Sequence, residues 1–174
     1  MYVPLVDQGL LKTFLIEIHH QAKVGLSAYA LIGSAMKRED GVETVWLGVG
    51  ALLGAAANVS KIVRLGERRP PRQELVERLR IDPATSPLAD RAIRNHLEHI
   101  DERIETWWKR STKQNFVHTI HAPDGRVPGL AIEDTFRGLD PQTTKVCFHG
   151  DQVSCLAIAN ELFRIKPLSD TWDS

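Results

Sequence analysis

Residues 7–37 contain no proline, and Leu10, Leu11, Phe14, Leu15, Ile18 and Ala22 recur there at spacings of three and four. That is the period of one helical face, so the stretch commits the N-terminal part of the chain to helix. Asp7 is placed to cap it. "KREDG" interrupts the pattern, and a second helix is predicted from about Val42 to Leu65. This helix is rich in small residues: Gly48, Gly50, Gly54 and Ala55 to Ala57. Glycine weakens a helix unless close packing against a neighbour offsets the loss. The most apolar run, Val45 to Val59, falls short of the roughly 20 residues that span a bilayer. It is therefore expected to be a buried core helix.

The prolines of "GERRPPRQ" stop one helix and start another. "RQELVERLR" is a short third helix. Ser86 and Pro87 form a cap and first position for a fourth, running to about Lys109. Four helices with short connections predict an antiparallel bundle. After Ser111 the periodicity changes. "NFVHTIHAPDGRVPG" and "TTKVCFHGDQVS" carry β-prone residues and turns. "QVSCLAIANELFRIK" returns to a helical period through Cys155, Ile158, Leu162 and Ile165. The expected fold is mainly α, as a single domain over residues 1–174. Residues 1–111 form a four-helix bundle core, and residues 112–174 an α+β appendage with a short hairpin and a final helix.

Composition narrows the function only a little. The 174 residues carry 22 basic and 22 acidic side chains. A balanced charge supplies no global pull toward nucleic acid or anionic membrane, though it permits a local basic site. Two cysteines, Cys147 and Cys155, are too few for a disulfide framework. "MYVPLVDQGLLK" lacks the pattern of a signal peptide. The expectation is a cytoplasmic chain with reduced thiols and no membrane contact.

The chemistry-bearing stretch is "RNHLEH", Arg94 to His99, within "RAIRNHLEHIDERIETWW". On a helical wheel Ile93, Leu97, Ile100, Ile104 and Trp107 form an apolar stripe expected to face the core. Arg94, Glu98, Asp101 and Glu105 lie on one flank, with His96, His99 and Arg103 on the other. Five basic and five acidic residues between Asp90 and Arg110 also describe an ordinary solvated face laced with weak ion pairs. The alternative is catalytic. Arginine offers a planar fork to phosphate oxygens. Histidine moves a proton near neutral pH. Asparagine orients a hydroxyl or a water. RNA brings its own nucleophile, the 2′-OH, so such a trio needs no metal.

Arg94, Asn95 and His99, with four residues between Arg and His, resemble the motif of HEPN domains. Arg91 and His96 repeat the spacing, with Ala92 at the position that is usually polar. The resemblance implies a metal-independent endoribonuclease, a toxin or antiviral-defence component that works as a homodimer with two motifs facing one cleft. It implies His99 as general acid or base, Arg94 as phosphate stabiliser and Asn95 as positioner. His96, Glu98 and Arg103 are supporting candidates, Glu98 and Arg103 as groups that orient the histidine. RNA and an antitoxin or regulatory protein are the implied partners. Two features depart from the small HEPN toxins. Asp101 stands where an aromatic residue often follows the motif, and the tail beyond residue 111 is extra.

Residues 61–80 hold seven basic and three acidic side chains, a net of +4. Arg64, Arg68, Arg69 and Arg72 are thus candidate RNA-contact residues, although a solvated loop has the same composition. Glu17 with His20 and His96 with His99 have metal-ligand spacing. A carboxylate-bridged di-metal bundle needs a second Glu where Asn95 stands, so no metal or other cofactor is expected. A non-catalytic interaction protein is the second functional class left open.

Overall fold

The computed structural model describes residues 7–38, 41–66, 70–90, 95, 98–114, 116–117, 120–125, 127–131, 134–148 and 151–170. Helix α1 spans Gln8–Ala35, and its first turn is closed by the Asp7 carboxylate, which accepts from Leu10 N at 3.1 Å. Helix α2 spans Val42–Val63 and returns antiparallel along it. The small residues of α2 have two different uses. A Cβ added at Gly48 would sit 2.7 Å from Ile32 Cγ1 and 3.0 Å from the Ala28 carbonyl oxygen, so glycine there sets how closely the helices approach. Around Gly50 and Gly54 nothing lies within 4 Å, so those two face outward. At 22 residues α2 is longer than its apolar run suggests, and by length and composition alone it could cross a membrane. Yet Val45, Val49, Leu52, Leu53, Val59 and Val63 are all buried in this fold, as expected of a core helix.

Helix α3, Arg72–Arg78, is the shortest α-helix described and is anchored by buried Leu75. Ser86 caps a 3-10 turn at Pro87–Ala89 through Leu88 N. In the region of the expected fourth helix, Asn95 and Glu98 are helical and so is the run Ile100–Arg110, here α4. The two parts meet at His99, whose φ of −122° and ψ of 44° break the regular dihedrals. Asp101 and Glu102 follow the break, where acidic groups suit the N-terminal turn of a helix.

All described strands follow residue 111. The sheet order is β1 (Ile120–His121), β2 (Arg137–Leu139), β3 (Lys145–Phe148), β4 (Asp151–Ser154). The last three are antiparallel, and β1 adds to β2 in parallel. Asp140 closes the β2–β3 turn by accepting from Gln142 N and Thr143 Oγ1. Ser154 then caps α5, Cys155–Leu168, by accepting from Ala157 N at 3.1 Å.

Helix α5 is no appendage. Cys155, Ile158, Leu162 and Ile165 are buried against α1 and α2, and a Cβ at Gly25 would collide with Leu162. Leu139, Val146, Phe148 and Val153 join the same core from one face of the sheet. The bidentate pair of Arg164 and Glu161 ties α5 to the segment before the 3-10 turn. Arg164 donates to Leu79 O at 2.9 Å, and Ser86 Oγ donates to Glu161 at 2.9 Å.

This arrangement corrects the predicted core stripe of the fourth helix. Of its described members only Trp107 is buried, at 1% exposure, whereas Ile100 and Ile104 are 38% and 42% exposed. The core position beside α1 and α2 is filled by α5, through Cys155, Ile158, Leu162 and Ile165. Trp107 instead joins a small aromatic cluster, 5.0 Å from Phe116 and 6.5 Å from Phe136 between ring centroids. Ile93 and Leu97 lie outside the described residues.

Candidate functional site

The regular run of α4 opens after a break at the motif histidine, and chemistry-bearing groups gather around that break. The His99 N–H donates to Asn95 O at 3.1 Å, and the Arg103 N–H donates to His99 O at 3.0 Å. Helical bonding therefore continues on both sides of His99 although its own dihedrals are not helical. His99 Nδ1 lies 3.3 Å from Glu102 Oε1, and both side chains are substantially exposed. A proton on Nδ1 directed at Glu102 leaves Nε2 as the accepting nitrogen. A histidine oriented in this way can take a proton from a hydroxyl brought to Nε2.

Asn95 is half-buried on the turn before His99. Arg94 and His96 lie outside the described residues, as do Arg68 and Arg69. The expected role of Glu98 in orienting the histidine is taken by Glu102. Glu98 itself is paired with Lys61 of α2, which holds the motif segment against that helix. The spacing of three from His99 to Glu102 was available in the sequence as a helical neighbour pair. Arg103 is half-buried, makes no ion pair among the described residues and is bound to His99 only through the backbone.

The proposed RNA-contact arginines split. Arg64 is exposed at the left-handed C-cap of α2, with φ 47°. Arg72 has a packing role: its guanidinium lies 4.1 Å from the Phe14 ring centroid and donates to Ile62 O. Glu17 bonds Gln21, and His20 lines an apolar groove of about 670 Å³ between α1 and α2 with Lys23, Val24, Leu31 and Leu47. No group of three or more metal-ligating side chains occurs among the described residues. His121 on β1 is partly buried, and desolvation pushes its pKa down. Burial pushes the Cys155 thiol up to about 12, so that cysteine is not a thiolate nucleophile at neutral pH.

In one copy of the chain, then, the histidine of the motif stands on an outer helix with its carboxylate partner, beside an apolar face that the fold leaves open. No family model matches the chain, and neither a curated protein nor a solved structure matches it significantly.

Proposed function

We propose that this chain is a metal-independent endoribonuclease of the HEPN kind, acting in the cytoplasm as a homodimer, in a toxin or defence role. The observation that carries the reading is the pairing of His99 Nδ1 with Glu102 at 3.3 Å. It gives the imidazole an orientation that suits a general base at the 2′-OH of RNA. Asn95, one turn earlier, is the positioning group, and Arg94 supplies charge to the phosphate.

A single copy leaves His99 half-exposed, and the reading therefore requires a second copy to complete a cleft. Helix α4 supports that assembly. Ile100, Ile104 and Trp108 are exposed along it. Its first turn is acidic through Asp101 and Glu102, and its last is basic through Lys109 and Arg110. An antiparallel copy of the same helix sets each acidic turn against a basic one, with the isoleucines between them. In this reading the bundle resembles HEPN with α5 in a core position.

The same open face favours a second reading, a non-catalytic interaction protein in which α4 and the α1–α2 groove receive a partner. Incubation of purified protein with mixed RNAs in chelator separates the two. An RNase cleaves under these conditions, and His99→Ala and Arg94→Ala abolish cleavage while Asn95→Ala and Glu102→Gln reduce it. An interaction protein leaves the RNA intact in every variant.

A further inference from the structure

Helix α4 carries four acidic side chains within reach of its N-terminal half or just before it: Glu98, Asp101, Glu102 and Glu105. Three of them are paired with other side chains. Glu98 pairs with Lys61, Glu102 with His99, and Glu105 with Lys109. Asp101 is two residues from Arg103, which on a helix places it on a different face. Arg103 is thus left without a counter-charge among the described residues, although it is half-buried. Its Nε is buried with no hydrogen-bond partner. The terminal guanidinium nitrogens are not among the buried unpartnered atoms and so reach the surface. Arg103 thus buries part of its stem and presents its guanidinium at the surface, where it can receive an anion.

Its position gives that anion a place. Arg103 follows His99 by four residues, and its N–H donates to the His99 carbonyl at 3.0 Å. That backbone bond keeps the two residues one helical turn apart, so both sit at the same end of α4. We propose that Arg103 is a substrate-binding residue that holds an RNA phosphate beside His99, so that one copy of α4 carries both the proton acceptor and a phosphate fork. The proposal rests on the ribonuclease reading for its substrate class but not for its geometry. Glu102 then has two effects. It orients His99, and by pairing with the imidazole it stays off Arg103 and leaves the guanidinium open to phosphate oxygens.

The test is binding of a single-stranded oligonucleotide carrying 2′-O-methyl riboses, which cannot be cleaved through the 2′-OH, to the full chain over a series of salt concentrations. Arg103→Gln is expected to weaken binding several-fold and to lower the slope of log affinity against log salt by about one unit. Arg103→Lys should recover part of the affinity, since charge remains but the planar fork is lost. Lys12→Gln, on the exposed side of α1, should bind like the parent. If Arg103→Gln proves unfolded by circular dichroism, Arg103→Lys alone decides: affinity equal to the parent overturns the proposal. It is also overturned if the parent binds no oligonucleotide, or if a folded Arg103→Gln binds equally well. Binding that depends on Arg103 in a chain that cleaves no RNA would remove the ribonuclease reading and keep this one.

Discussion

At the scale of single residues, two glycines only two positions apart in α2, and so on different faces, make opposite predictions. Gly48→Ala places a methyl 2.7 Å from Ile32 Cγ1 and should destabilise the fold by about 1–3 kcal/mol. Gly50→Ala meets nothing within 4 Å and should stabilise by about 0.5–1 kcal/mol through helix propensity. Urea midpoints of the two variants check both signs. The Glu161 carboxyl is held below the usual carboxylate range, first by its hydrogen bonds from Arg164 and then by the Ser86 hydroxyl, against an opposing effect of burial. Its pKa is therefore lower folded than unfolded. The stability it adds is present above the ordinary value of 4.5 and is lost as pH falls through the depressed folded value. Glu161→Gln should flatten the acid side of a stability-against-pH curve and leave its alkaline side parallel to the parent's.

At the scale of elements, the N-terminal half of the fold could be read from the chain, and so could the presence of a helix ending near Lys109, but not how that helix packs. Of the face marked by Leu10, Leu11, Phe14, Leu15, Ile18 and Ala22, Phe14 is half-buried and Leu10 is 42% exposed, while the other four are buried. The final helix was marked in the same way by Cys155, Ile158, Leu162 and Ile165. Periodicity, however, says that a face is apolar and not which other face it meets. Two stripes competed for the side of α1 and α2, and α5 took the position that α4 was expected to fill. The break at His99 interrupts the continuous pattern that runs from Pro87 to Lys109, and no spacing in the sequence marks it. Glu102 as the partner of His99 lay one step beyond the motif, which drew attention to Glu98. The unpaired state of Arg103 is a matter of where the surrounding acids go, and no spacing rule contains it. The C-terminal end of α4 makes its own prediction. Ser111 donates to the buried Asp134 carboxylate at 2.5 Å, and Gln114 N donates to the Ser111 hydroxyl at 2.9 Å. Ser111→Ala should cost about 1–3 kcal/mol, because it leaves a buried acceptor short of a donor. Loss of the Trp107 fluorescence signature at lower denaturant would report it.

At the scale of the whole molecule, the helices α1, α2 and α5 with one face of the sheet complete a core, while α4 stands outside it with Ile100, Ile104 and Trp108 uncovered. In the dimer proposed here Ile104→Glu should convert the assembly to monomer in sedimentation at micromolar concentration. The melting temperature of the monomer should change little, since Ile104 contributes little to the core of one copy. If His99, oriented by Glu102, takes the proton from an RNA 2′-OH, the mass of the new ends formed when purified protein is incubated with a short RNA in chelator will show it. The parent chain should leave 2′,3′-cyclic phosphate ends, with none from His99→Ala and none when the nucleotide at the cleavage point is deoxy. Intact RNA with the parent chain, or cleavage unchanged by His99→Ala, would contradict that role.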